Sequence, residues 1–313
     1  MTIFLNWYRR LSEKLDTFIV GEKDFERAKH LIPFFYYFAF FIAFGRLEGL
    51  DHAIARPAET FDPRMIIFWA KEFDFATTTT VIFFLTTLTS LAAAVFPFSR
   101  TARIGMFVGI LQYHAYAASF GGPNHQWDHW LWVSFILIFL PTLNEAPELE
   151  VRRRFSLTFW CAQAWLLLTY SMAGIGKLIY IFVQISQGQV HGFSPDAGSL
   201  YAATQLNAMG ITNFAGSIII ANPMLAWIPF LVMLELQTLS ILIAFRPDLH
   251  RLWGAGLLLF HVSTLATMRA VFVGPSALIM LLLLASPFQS SREDKRPTAL
   301  NFFTGKLKIF GRK

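Results

Sequence analysis

One cysteine in 313 residues, Cys161, excludes an internal disulfide and any CxxC redox or zinc motif. Charge is scarce as well. Only 15% of the residues are Asp, Glu, Lys or Arg, against 55% hydrophobic, which is far from ordinary globular usage. There is no HExxH, no internal repeat and no stretch polar enough for a second soluble domain. The first thirty residues carry six Lys or Arg and lack a short apolar run ending at a small-residue cleavage site, so no cleavable signal peptide is expected.

What the chain has instead is hydrocarbon and aromatic surface, including 34 Phe and 9 Trp. Several windows exceed the roughly 18 apolar residues that cross a bilayer. The expectation is an all-α, polytopic transmembrane helix bundle of about eight spans, near 31–48, 76–98, 103–120, 129–143, 156–183, 224–245, 252–270 and 272–288. Residues 1–30 form an interfacial segment, 31–290 the membrane domain and 291–313 a basic tail. Of the 26 Lys and Arg, twenty fall on the side that holds both termini and five on the other, with Lys177 inside a span. That bias predicts cytoplasmic N- and C-termini. The net charge of +6 is thereby accounted for by topology and anionic lipid, and no nucleic-acid partner is implied.

Ile3, Phe4, Trp7, Leu11, Leu15 and Phe18 recur every three or four residues with Arg9, Arg10, Glu13, Lys14 and Asp16 between them. This is an amphipathic helix suited to the membrane interface, or to a membrane protein partner. The C-terminal "NFFTGKLKIFGRK" is a weaker version. Residues 184–223, rich in Gly, Gln, Ser and Asn and free of Lys and Arg, read as an outer loop that could cap a cavity.

The polar residues within the spans carry the chemistry. Gln163, Tyr170, Gly174 and Lys177 are spaced seven, four and three apart and share one helix face, which is expected to point into the bundle. His129, His114 and His261 lie in other spans at comparable depth, and Glu235 lies near the middle of the sixth. A lysine desolvated there is able to act as a general base. Against this stands a plainer reading for each residue. Lys177 could snorkel to the headgroups, His114, His261 and Glu235 could serve helix packing, and Trp127, Trp130 and Trp132 could form an interfacial belt. "GMFVG" at 105–109 is a small-residue packing motif. His125 and His129, with Asp128, have the spacing of a metal pair, but Pro123 argues against a helix through them, so no metal site is expected. Haem between His114, His129 and His261 is a weaker candidate than a quinone-like molecule.

The order "NHQWDHWLWVSFILIFLP", "YSMAGIGKL", "LELQTLSILIAFRPDLHRLWGAGLLLFH" and "VGPSALIMLLLLASPF" resembles the HTTM superfamily, the multi-span domain shared with vitamin K-dependent gamma-glutamyl carboxylase. Tyr170, Ala173, Gly174, Lys177 and Leu178 match one element in register, Phe260 and His261 match a later one, and Glu235 with Arg246 fits between. The resemblance covers about residues 30–290. It implies that Lys177 is the base toward a quinol, with His129 (or His125, in the alternative register) taking part in the same chemistry, in a pocket on the outer face. His261 is a further candidate catalytic residue. From the polar and aromatic residues of the spans themselves, Tyr170, Trp130, Glu235 and His114 are expected to surround the ligand. Gly176 replaces a second lysine, the following Asp and Trp are missing, and so is the large lumenal domain, so animal-type protein carboxylation is not expected. Two functions stand: a membrane enzyme acting on a quinol-like, lipid-soluble molecule, or a non-catalytic subunit or maturation partner. Either would be a multi-pass protein, expected in a bacterial inner membrane.

Overall fold

The computed structural model describes residues 22–121, 128–143 and 147–288, which are helical wherever they are regular; among them there is no strand. The expected interfacial helix at the N-terminus, the basic tail, His125 and Trp127 lie outside the described residues. Helix α1 (Glu22–Arg46) continues through a 3₁₀ turn, Leu47–Gly49, into the short α2 (Leu50–Ile54). Then follow α3 (Phe75–Val95), α4 (Arg100–Ala118), α5 (Asp128–Leu137), α6 (Leu149–Ser186), α7 (Ala197–Ala208), α8 (Phe214–Ala221), α9 (Pro223–Ile243), α10 (His250–Met268) and α11 (Val273–Leu278). A π-helical segment, Ile279–Leu284, extends α11.

Four helical stretches among the described residues are long and apolar enough to cross a membrane: Lys23–Ile54, Phe75–Val95, Leu149–Ser186 and Pro223–Ile243. They overlie the expected first, second, fifth and sixth spans. The other four expected spans fall on helices that are shorter or more polar. α5 has only 10 residues. α4 carries Arg100, Arg103, Gln112 and His114, and α10 carries His250, Arg251 and His261. Two segments expected to lie between spans are more helical than that. Residues 149–155 form the first turns of α6, and α7 and α8 occupy much of 184–223.

Two tightly packed sets meet along α6. In the first, α3 lies against α4 and α1; in the second, α6 lies against α9, and α10 lies against the π-helical segment. α6 also touches α1 and α5, so it joins the two sets. Its 38 residues span about 57 Å at 1.5 Å each, well beyond a hydrocarbon core of about 30 Å. Its end is closed by Gly188 at φ +64°, where a side chain would be strained.

In the threonine-rich "FATTTTVIFFLTTLTS" of α3, five hydroxyls are satisfied by their own helix, which lets the run stay helical. Thr79, Thr80, Thr86, Thr87 and Thr89 donate to the carbonyls of Phe75, Ala76, Ile82, Phe83 and Leu85. Thr86 and Thr87 also reach the Gly109 and Ala43 carbonyls at 3.0 and 3.3 Å, tying α3 to α4 and α1. Gly109, the second glycine of GMFVG, makes the approach feasible, since a Cβ there would lie 3.2 Å from Thr86 Cα. Around this core Phe34, Phe41, Phe44, Phe68 and Phe84 stand exposed, a surface compatible with contact to a lipid bilayer.

Two polar devices fix the ends of the second set. The Asn213 side chain accepts from Gly216 N at 2.8 Å and donates to the Ala266 carbonyl at 2.9 Å, so one amide caps α8 and ties it to the end of α10. Asn213→Ala is expected to lower stability by about 0.5–2 kcal/mol, read as a lower unfolding midpoint in detergent. In the turn between α9 and α10, Arg246 donates through Nε and Nη2 to the two Asp248 carboxylate oxygens at 3.1 and 2.8 Å. These hydrogen bonds hold the Asp248 carboxyl below its ordinary range. The stability they lend is therefore present above the unfolded carboxyl value and is lost as pH falls through the folded one. Asp248→Asn should lower the midpoint at neutral pH and converge with the parent in strong acid, as a pH series of thermal melts would record.

Candidate functional site

The site grows from the α6–α9 contact. Gly174 is buried, and a Cβ on it would come within 2.5 Å of Thr238 N and 2.8 Å of Thr238 Cα, so the two helices touch backbone to backbone. One turn earlier the Ser171 hydroxyl donates to the Thr238 carbonyl at 3.1 Å and accepts from Ile241 N at 2.7 Å. One turn later Lys177 Nζ donates to Gln237 Oε1 at 2.6 Å. Lys177 is half-buried, Gln237 is buried, and among the described residues no carboxylate pairs with Lys177. An amide oxygen accepts from an amine and an ammonium alike. The contact thus holds the lysine toward its neighbouring helix in either protonation state.

Tyr170, two turns earlier on the same face, is buried, and its hydroxyl shares a 2.6 Å hydrogen bond with His261 Nε2 of α10. The His129 ring of α5 lies 5.5 Å from the Tyr170 ring, and the His261 ring lies 5.8 Å from it. His129 and Lys177 are both within electrostatic range of His261. Three helices other than α6 therefore meet its polar face. The His261 Nδ1 atom is buried and makes no hydrogen bond to the described residues.

Beside this cluster lies a cavity of about 620 Å³, lined by Phe38, Phe41, Arg46, Trp130 and the Val271–Pro275 segment. Phe272 of that segment packs on the His261 ring at 4.9 Å between centroids. Trp130 follows His129 in the chain and is itself stacked on Phe35 at 4.9 Å. The cavity is aromatic-walled, with one cation at its edge and imidazole close behind its wall, which suits a ring-shaped, largely apolar molecule.

The structure thus brings Lys177, Tyr170, His129 and His261 to one place, with Trp130 on the adjoining wall. His114 stands apart. Its Nδ1 lies 3.3 Å from Asp128 at the start of α5, where the pair helps to seat the helix that bears His129. Glu235 is also outside the cluster; it is exposed on the far side of α9 from Gln237. Two residues along a helix turn the side chain by about 200°, which separates them. Gln163 faces inward but meets a different partner, donating from Nε2 to the Leu282 carbonyl and to Ser286 Oγ. No group of three or more metal-ligating side chains occurs among the described residues. Gln237, Phe272 and Arg46 had not been singled out in the sequence. Gln237 was in principle visible as the polar residue three before Ser240 on one face of α9.

Comparisons with models of known families, with curated proteins and with solved structures find no match to this chain.

Proposed function

We propose that the chain is an HTTM-like multi-pass membrane enzyme that binds a quinol-like, lipid-soluble molecule and removes a proton from its ring hydroxyl. In that reading it crosses a bacterial inner membrane about eight times, with both termini cytoplasmic and the cavity opening to the outer side. Lys177, as the amine, takes the hydroxyl proton to become the ammonium, leaving the ring oxygen as a phenolate. His129 and His261 orient the ring or relay the proton, Tyr170 fixes the His261 imidazole, and Trp130 and Phe272 flank the ring. The observation that carries the reading is the seating of Lys177 against Gln237, together with the Tyr170–His261 pair, whose imidazole packs on Phe272 of an aromatic-walled cavity. The twenty-to-five distribution of basic residues supports the orientation.

The test is purification in mild detergent, followed by an optical spectrum and mass spectrometry of the extract, with naphthoquinone then titrated against tryptophan emission. A quinone in the extract, or saturable quenching centred on Trp130 and lost in Trp130→Phe, is the expected result. A Soret band would overturn it in favour of haem. An empty extract without saturable quenching would overturn it in favour of a non-catalytic membrane subunit.

A further inference from the structure

Glu235 has a setting that neither the cluster nor the cavity uses. On α9 the residues Leu225, Ile228, Val232, Glu235, Leu239 and Leu242 are all exposed. Their spacings are three, four, three, four and three, the repeat of a straight seam along a helix that packs against another helix. α9 is among the four helices long and apolar enough to cross a membrane, and Glu235 stands two residues past the centre of its 21. Apolar side chains at such positions are at home in lipid, but a carboxyl at the middle of a span is not. Leu225 and Val232 also border an apolar groove of about 420 Å³ between α9 and α10, so the first half of the seam has a recess beside it.

We infer that this seam is a self-association surface, on which α9 of a second copy packs against α9 with the two Glu235 side chains facing each other. Symmetry favours a second copy over an unrelated helix. A two-fold axis along the membrane normal places every residue opposite its own equivalent at the same depth, so the pairing of the two carboxyls at mid-span is automatic. The two carboxyl side chains hydrogen-bond to each other, and each is then satisfied out of water. The leucines and Val232 supply knobs on both sides of the pair. Apolar surfaces gain little from meeting one another in lipid, so the carboxyl pair is the main source of specificity. The inference rests on the membrane-spanning reading of α9 and is independent of any chemistry at Lys177.

The experiment uses full-length protein in phospholipid vesicles at high lipid-to-protein ratio, with Cys161→Ser as background. Val232→Cys and Leu239→Cys should each form disulfide-linked dimers under copper-phenanthroline. Leu88→Cys, an exposed position on α3, should not. Energy transfer between labelled copies should fall at least tenfold in apparent association for Glu235→Leu and be largely retained for Glu235→Gln, whose amides can still bond to each other. Equal cross-linking at all three cysteines, or association unchanged in Glu235→Leu, would overturn the proposal. So would a uniformly monomeric protein, or one that shows the seam occupied by a different, basic helix.

Discussion

Replacing Lys177 by methionine is expected to abolish deprotonation of a bound ring hydroxyl while leaving the fold intact. Methionine fills a similar volume and keeps an apolar stem, but it offers neither a base nor a donor to Gln237. An anaerobic titration with naphthohydroquinone reads the effect directly, because the phenolate absorbs to the red of the neutral ring. The parent should develop that band and Lys177→Met should lose it, with the rate of appearance reduced by at least 100-fold. Lys177→Arg should behave like methionine in this assay, since a guanidinium remains charged and cannot accept a proton at neutral pH. Gln237→Leu should be intermediate, because it leaves the amine present but no longer held. Retention of the band in Lys177→Met, with quinol still bound, would remove the lysine from the mechanism.

The second large effect is structural and sits one turn away. Gly174→Val should destabilise the protein by about 3 kcal/mol, from overpacking of about 1–3 kcal/mol and the loss of the hydrogen bonds that flank the contact. The cause is specific: the added Cβ would meet the Thr238 backbone, which cannot swing aside as a side chain can. The helices must separate, and the Ser171 and Lys177 contacts on either side separate with them. Gly176→Val is the control, because a Cβ at Gly176 meets nothing within 4 Å. Thermal unfolding followed by circular dichroism should therefore drop sharply for the first variant and hardly move for the second. Equal midpoints would show that the close approach of α6 and α9 is not what holds the site.

How far the sequence reaches can be seen from these same residues. The inward face of α6 was legible because a helix converts spacings of seven, four and three into one stripe, whatever the surroundings. Its partner was not, because "LELQTL" offers Glu235, Gln237 and Thr238, and only the last two face α6. The carboxylate draws the eye, yet the amide makes the contact. His114 had depth in its favour, but depth says nothing of azimuth, and the Asp128 that engages it lies beyond the polar stretch that separates the two expected spans. Hydropathy windows likewise marked apolar length well in α3 and α9. They passed over the charged start of α6 and the helices α7 and α8, because they register transfer to lipid rather than hydrogen bonding along the backbone. The helix-forming run "AGSLYAATQLNA" was the signal for α7.

The π-helical turn at Ile279–Leu284 also has a bearing on how the chain could change. Its wide spacing, with Ala285 N bonded to the Met280 carbonyl, leaves the Leu282 carbonyl to receive Gln163. Such a turn is equivalent to one residue inserted into a regular helix. Excising a single leucine there would restore the ordinary ladder, and the opening at the Leu282 carbonyl that receives Gln163 would close. Gln163 would keep only Ser286, at 3.0 Å, whose hydroxyl also meets His250 at 3.2 Å. The length of this stretch is thus under tighter constraint than its composition, and exchanges among its leucines and isoleucines should be tolerated where gaps are not.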